Sequence, residues 1–146
     1  MVDESSNGGA RLAKGEVAIT ENELSYEIIG SAIEVHQILG PGLLESAYEE
    51  CLCYELNQKG NKYDRQLLMP LRYKSVIVKE NMYRLDIWVE KKVVVDVKAV
   101  EQIPPVYFRQ VKSYLQQTGS KLGLLLNFNV PVLKDGIHRV VLGLEE

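Results

Sequence analysis

Apolar positions along the chain change period several times, and each change predicts an element. From Asn22, Leu24, Ile28, Val35 and Leu39 recur at four- and seven-residue intervals, with Ile29, Ala32 and Ile33 widening the stripe. This is the pattern of an amphipathic helix, with Asn22 as its N-cap and Gly40-Pro41-Gly42 as its stop. A second helix is predicted from Leu43 to about Lys59, on a stripe of Leu44, Tyr48, Cys51, Leu52, Glu55 and Leu56, with Gly60 ending it. Short polar connections then lead into β-branched and aliphatic runs that read as strands over Lys62–Gln66, Leu71–Val78, Met82–Glu90 and Lys92–Val100. Pro104-Pro105 opens a third helix, where proline is well tolerated. Its stripe is Tyr107, Gln110, Val111, Tyr114 and Leu115, and Gly119 stops it. Strands over Lys121–Phe128 and Ile137–Leu144 follow, joined through a turn region from Pro131 to Asp135-Gly136. The order of elements predicts a single α/β or α+β domain, a mixed sheet covered by helices, over residues 21–146. Residues 1–20, with Ser5-Ser6-Asn7-Gly8-Gly9, read as a flexible leader.

Composition narrows the classes of function. A net charge of -3 provides no global basic field, so any nucleic-acid binding has to come from a local patch. The apolar runs are too short to span a bilayer, and the first residues lack a basic-then-apolar secretory pattern. Cys51 and Cys53, the only cysteines, lie two apart on a predicted helix and point in widely separated directions. They read as idle thiols rather than a disulfide or a metal clip, which suits a cytoplasmic protein with no membrane association. His36 reads as a surface or hydrogen-bonded residue rather than a ligand.

The candidate chemistry lies in two predicted strands, Tyr83–Val89 and Val93–Ala99. Strand alternation puts Arg84, Asp86 and Trp88 on one face, opposite Leu85, Ile87 and Val89. It likewise puts Lys98 beside Asp96. Charges in apolar strands need a partner, a proton or a metal. In a hairpin, Asp86 faces Asp96 directly only if the loop has an odd number of residues or a bulge intervenes; a two-residue turn would set the carboxylates on opposite faces. Two adjacent carboxylates repel unless compensated, and a hard divalent cation suits such an oxygen set; an Asp–Lys–Asp ion cluster without a catalytic role is the alternative. Glu45 and Tyr48, three apart, share a helix face. Glu45 also reads as a carboxylate favoured by the helix dipole, and Tyr48 as a core residue with its hydroxyl satisfied. Gln110 is either an edge amide in water or an amide that holds a water or a phosphate.

Gly42-x-x-Glu45-x-x-Tyr48, Tyr83-Arg84-x-Asp86, Asp96-x-Lys98 and Gln110-x-x-x-Tyr114, in this order and spacing, together resemble the GxxExxY family of the PD-(D/E)XK nuclease superfamily. The resemblance extends from Leu24 to Leu144. It implies a restriction-endonuclease-like core with an active site at one sheet edge, Asp86 as the acid of the PD motif, and Asp96 with Lys98 as the (D/E)-x-K motif. It implies Glu45 as the acid from the first core helix, and Gln110 with Tyr114 as the Gln-x-x-x-Tyr element of RecB-like members. No proline precedes Asp86, and the family more often carries glutamate where this chain has Asp96. The implied activity is Mg²⁺- or Mn²⁺-dependent hydrolysis of phosphodiester bonds in DNA, or in RNA. Asp86, Asp96, Glu45 and the Val97 carbonyl would hold the metal, Lys98 would orient the attacking water, Gln110 would steady the scissile region, and Tyr48 and Tyr114 would support the site. Arg84, Arg109, Lys112 and Lys121 are candidate contacts to the nucleic-acid backbone. A small nuclease domain without a DNA-reading motif invites a second copy or a protein partner for affinity. The competing class is a non-catalytic nucleic-acid-binding or assembly module that retains the nuclease fold.

Overall fold

The computed structural model describes residues 18–145, so most of the expected leader lies outside it. Helix α1 (Glu21–Leu39) is capped by Thr20, not by Asn22. The Glu23 N–H donates to Thr20 Oγ1 at 3.1 Å and the Thr20 N–H donates to Glu23 Oε1 at 2.9 Å. This reciprocal capping box satisfies two helix-end donors at once. Ile19 is buried in the core and its carbonyl accepts from Lys92 Nζ at 2.7 Å, so the domain begins before residue 21.

Helix α2 (Glu45–Gln58) buries Tyr48, Glu49, Leu52, Cys53 and Leu56. Leu44 is 77% exposed, because it is the extended residue preceding the helix rather than part of its stripe. Both thiols are free, and burial pushes that of Cys53 up to about 11, which keeps it protonated and inert.

The predicted strands Lys62–Gln66 and Leu71–Val78 are corrected. Strand β1 (Tyr63–Tyr73) continues past Pro70, with register shifts on either side of Leu71, and meets β2 (Val76–Val89) across a two-residue turn, Lys74-Ser75, at φ 52° and 65°. Such a turn is usually marked by Asn-Gly or Asp-Gly, so Lys-Ser carried no signal. Pro70 falls at an irregularity of this edge strand, where the register with β2 shifts between Met69 and Leu71, so its missing N–H coincides with a break in the ladder.

Strand β3 (Val93–Lys98), helix α3 (Pro105–Thr118), β4 (Leu122–Asn127) and β5 (Ile137–Val141) complete the fold. The sheet order is β1-β2-β3-β4-β5, antiparallel throughout except for the β3–β4 pair, which is parallel and bridged by α3. The mixed α/β sheet flanked by helices is as the sequence predicts. Leu24, Ile28, Leu52 and Leu56 from α1 and α2 pack on one face against Ile87, Val95 and Leu124. Tyr114 and Leu115 of α3 pack on the other against Met69, Leu85 and Val94. No helix among the described residues is long and apolar enough to cross a membrane.

Close approach of α3 to the sheet depends on Gly123, where a Cβ would stand 2.6 Å from Val111 Cγ1 and 3.3 Å from a Leu115 methyl. Gly123→Ala is therefore expected to overpack the α3 face and to lower stability by about 1–3 kcal/mol, read from the midpoint of urea unfolding.

Candidate active site

The turn between β2 and β3 decides the geometry. It consists of Glu90-Lys91-Lys92, an odd number of residues, with Glu90 and Lys91 at φ 52° and 50°. The resulting register pairs Val89 with Val93, Trp88 with Val94 and Ile87 with Val95. One further step brings Asp86 opposite Asp96, so the carboxylates meet rather than fall on opposite faces.

At that step the ladder stops. The Val97 N–H donates to Asp86 Oδ2 at 2.8 Å, so a side-chain carboxylate receives it where a β2 carbonyl would stand. The Lys98 carbonyl accepts from the Phe128 N–H on the β4 side at 2.9 Å, so the polar groups of Val97, one residue earlier, point the other way. The Val97 carbonyl therefore opens toward the gap that Asp86 occupies. The β1 neighbour opposite Asp86 is Gln66, a non-glycine residue at φ 55° and unpaired in the β1–β2 ladder. Backbone of this kind is costly and gathers at functional sites. The disturbance also breaks the expected alternation: Leu85 packs with Tyr114 on the α3 side, while Ile87 and Val89 pack on the α1–α2 side.

Burial and charge make this a strained electrostatic centre. Asp96 is 4% exposed, and its Oδ2 is buried without a hydrogen-bond partner. Asp86 is pushed up to about 8, by burial first and then by the adjacent Asp96 carboxylate. Asp96 is raised as well, again by burial first; a hydrogen bond with the Asp86 carboxyl and then Lys98 oppose the shift, and the Glu45 charge adds to it. Lys98 Nζ stands 3.7 Å from Asp96 Oδ1 and 4.6 Å from the centre of the Tyr107 ring, so the ammonium is held between a carboxylate and an aromatic face. The Tyr114 phenol is pushed up to about 12, by burial and then by the charges of Asp96 and Asp86.

The two helices wall the site from opposite faces. Glu45, at the start of α2, is exposed, and its Oε2 accepts from the Ala99 N–H at 3.3 Å, just past the end of β3. Tyr48, one turn later, is a pin: its hydroxyl donates to the Gly40 carbonyl at 2.6 Å, accepts from the Leu43 N–H at 3.0 Å, and its ring stacks on Phe128 at 4.6 Å. It fixes the Gly40-Pro41-Gly42 turn and with it the start of α2. Gln110 is exposed on α3, three residues after Tyr107 and four before Tyr114. That spacing keeps it on the face whose two tyrosines reach the charged residues. Arg84, Arg109 and Lys112 are exposed. Lys121 is not brought to the site: it precedes Leu122, which pairs with Val93, at the opposite end of the sheet from Lys98 and its partner Asn127. His36 is buried, and its Nε2 hydrogen-bonds the Val130 carbonyl at 2.7 Å.

Several contributors escape the sequence patterns. Glu49 is 6% exposed, accepts from Arg65 Nε at 2.6 Å and from Gln66 Nε2 at 2.8 Å, and lies close enough to Asp86 to raise its pKa. Its position four residues after Glu45 was the available signal. Asn127 clamps the chain leaving β3, donating to the Val100 carbonyl at 2.9 Å and accepting from the Val100 N–H at 3.1 Å. Tyr107, predicted only as part of the α3 stripe, also holds the Lys98 ammonium over its ring.

Among the described residues, no three His, Cys, Asp or Glu side chains gather as a ready-made ligand set. The Asp86 and Asp96 carboxylates face each other here, and the Val97 carbonyl opens toward the same strand gap. All are oxygens, which fits a hard divalent cation that retains waters. The buried, unpartnered Asp96 oxygen is the atom a cation would satisfy.

A sheet of this topology with paired carboxylates and a lysine at the end of its central strand defines a nuclease-like α/β domain. A family model of the PD-(D/E)XK nuclease superfamily matches residues 22–140, and the chain belongs to that superfamily. Comparisons with curated proteins and with solved structures found no significant match.

Proposed function

We propose that this chain is a divalent-metal-dependent nuclease of the GxxExxY family that hydrolyses phosphodiester bonds, with DNA as its substrate. The observation that carries this reading is the three-residue turn, which brings Asp86 opposite Asp96 and leaves a buried Asp96 oxygen without a partner beside Lys98. Superfamily membership supports it.

Asp86, Asp96 and the Val97 carbonyl would hold Mg²⁺ or Mn²⁺, with Glu45 close enough to join through a water. Such an ion, when bound, supplies a Lewis acid for the phosphoryl oxygens and lowers the pKa of water. The residues of the chain carry the remainder. Lys98, fixed by Asp96 and Tyr107, orients the attacking water and offsets charge that grows on the phosphate as water adds and the bridging P–O bond breaks. Gln110 holds the strand at the mouth, and Tyr114 closes the site from the α3 side. Arg84, Arg109 and Lys112 are the backbone contacts, with a strong dependence on salt. The acidic balance of the chain favours help from a second copy or a partner protein in holding the substrate.

The test is incubation of labelled single- and double-stranded DNA and RNA with Mn²⁺, beside calorimetric titration of the ion. Metal-dependent cleavage is expected, with Lys98→Ala reducing it about a hundredfold or more while the ion still binds. Cleavage that persists undiminished in Lys98→Ala overturns the assignment. Absence of Mg²⁺ and Mn²⁺ binding at millimolar concentration assigns the residues to an ion cluster in a non-catalytic module.

A further inference from the structure

Beside the carboxylates, between the β1–β2 hairpin and the C-terminal half of α3, lies a recess of about 310 Å³ lined by Leu71, Arg72, Tyr83, Ser113, Gln116 and Gln117. Its Tyr83 links it to the site. The Tyr83 ring meets the Tyr114 ring edge-on at 6.3 Å, and Tyr114 feels the charge of both Asp86 and Asp96. Ser113 and Gln117 flank Tyr114 on the same helix.

The chemistry of this lining differs from that of its neighbour. No lining residue is acidic, whereas the adjoining site is dominated by carboxylates. Arg72 forms no ion pair among the described residues. Gln117 Oε1 is buried with no hydrogen-bond partner, an acceptor that folding leaves unsatisfied. Two amides present donors and acceptors together, as the edge of a nucleobase does. A phenol ring gives a base a stacking surface, and an unpaired guanidinium suits a phosphate. The volume lies at the small end of the range for ligand sites, about 300–1,000 Å³.

A base inside a duplex has its edge paired and both faces stacked, so it cannot enter such a recess without being extruded. We propose that this recess binds one unpaired nucleotide of the substrate strand, with its base stacked on Tyr83, its edge read by Gln116 and Gln117, and its phosphate met by Arg72. The inference rests on the nuclease reading and sharpens it: the substrate is single-stranded, or carries an unpaired segment at the point of cleavage.

The test is fluorescence anisotropy of the full chain in chelator, where no turnover occurs, with labelled single-stranded DNA, single-stranded RNA and a blunt duplex. Single strands are expected to bind more tightly than the duplex. Tyr83→Leu should weaken single-strand binding about tenfold and leave duplex binding unchanged. Gln117→Leu removes an unsatisfied polar group, so it should fold at least as well as the parent and weaken single-strand binding about threefold or more. The DNA and RNA arms separate the two sources of the nucleotide. Variants that bind both probes like the parent, or lose both equally, overturn the inference, and parent cleavage in Mn²⁺ would then leave the nuclease reading standing. Selective loss of single-strand binding in a chain that cleaves nothing supports the recess and defeats the nuclease reading instead.

Discussion

Asp96→Asn is expected to abolish metal-dependent cleavage while leaving the domain as stable as the parent, or more so. Asp96 is almost fully buried, one of its oxygens has no partner, and it faces a second carboxylate across the β2–β3 gap. In the absence of a cation that arrangement is unfavourable, because burial raises both acids and neither Lys98 nor a proton held between the carboxyls fully offsets it. An asparagine keeps the shape, removes one charge, and offers an N–H to the Asp86 carboxylate. The same change deletes an anionic ligand. Several kcal/mol of transition-state stabilisation depend on a bound ion, so the rate should fall by about a thousandfold or more. Cleavage in Mn²⁺ and thermal unfolding in chelator measure the two halves. A variant that unfolds, or one that still cleaves, contradicts the assignment of Asp96 as a ligand that function retains against stability.

The second large effect is a dependence of stability on pH that a metal ion reverses. Burial and the facing Asp96 carboxylate push Asp86 up to about 8 in the folded protein, from an ordinary value of 3.8. Between these values the native state binds more protons than the unfolded chain, so stability declines as pH rises. The contribution is fully present below the ordinary value and is lost as pH rises through about 8. In chelator the melting temperature should therefore drop from about pH 5 to about pH 8. A divalent ion binds the ionised pair and competes with the proton, so millimolar Mg²⁺ should restore stability at the alkaline end most strongly. Asp86→Asn should flatten the decline and remove the response to Mg²⁺, which assigns both to this carboxylate. An equal slope in parent and variant would show that the pair does not carry the proton.

Much of the candidate site was legible because it is written in types and spacings. Asp96-x-Lys98 sets two side chains on one side of a strand whatever surrounds them, and Glu45 to Tyr48 or Gln110 to Tyr114 stay on one helix face by the helical repeat alone. The expected alternation failed at Leu85, because the left-handed Gln66 on the neighbouring strand disturbs the sheet beside Asp86. Glu49 was missed because a glutamate next to Tyr48 and Glu50 looks like a solvated helix residue. Its burial depends on Arg65 and Gln66 arriving from β1 to hydrogen-bond it. Thr20 carries a readable T-x-x-E pattern, and it caps α1 in place of Asn22 because its side chain and that of Glu23 satisfy each other's backbone N–H.

Local sequence by itself determined the helices, the buried central strands, a mixed sheet covered by helices and the identities of the charged residues, since periodicity and turn chemistry act over a few residues. Tertiary structure alone decided that Asp86 stands opposite Asp96. Glu90-Lys91-Lys92 contains no glycine or asparagine to announce its turn, and the register is set by which apolar positions of β2 and β3 are buried between α1, α2 and α3. A shift of one residue would have sent every side chain of the strand to the other face. Packing of the whole sheet against its helices excludes that shift, and so turns the paired carboxylates of two apolar strands into one site.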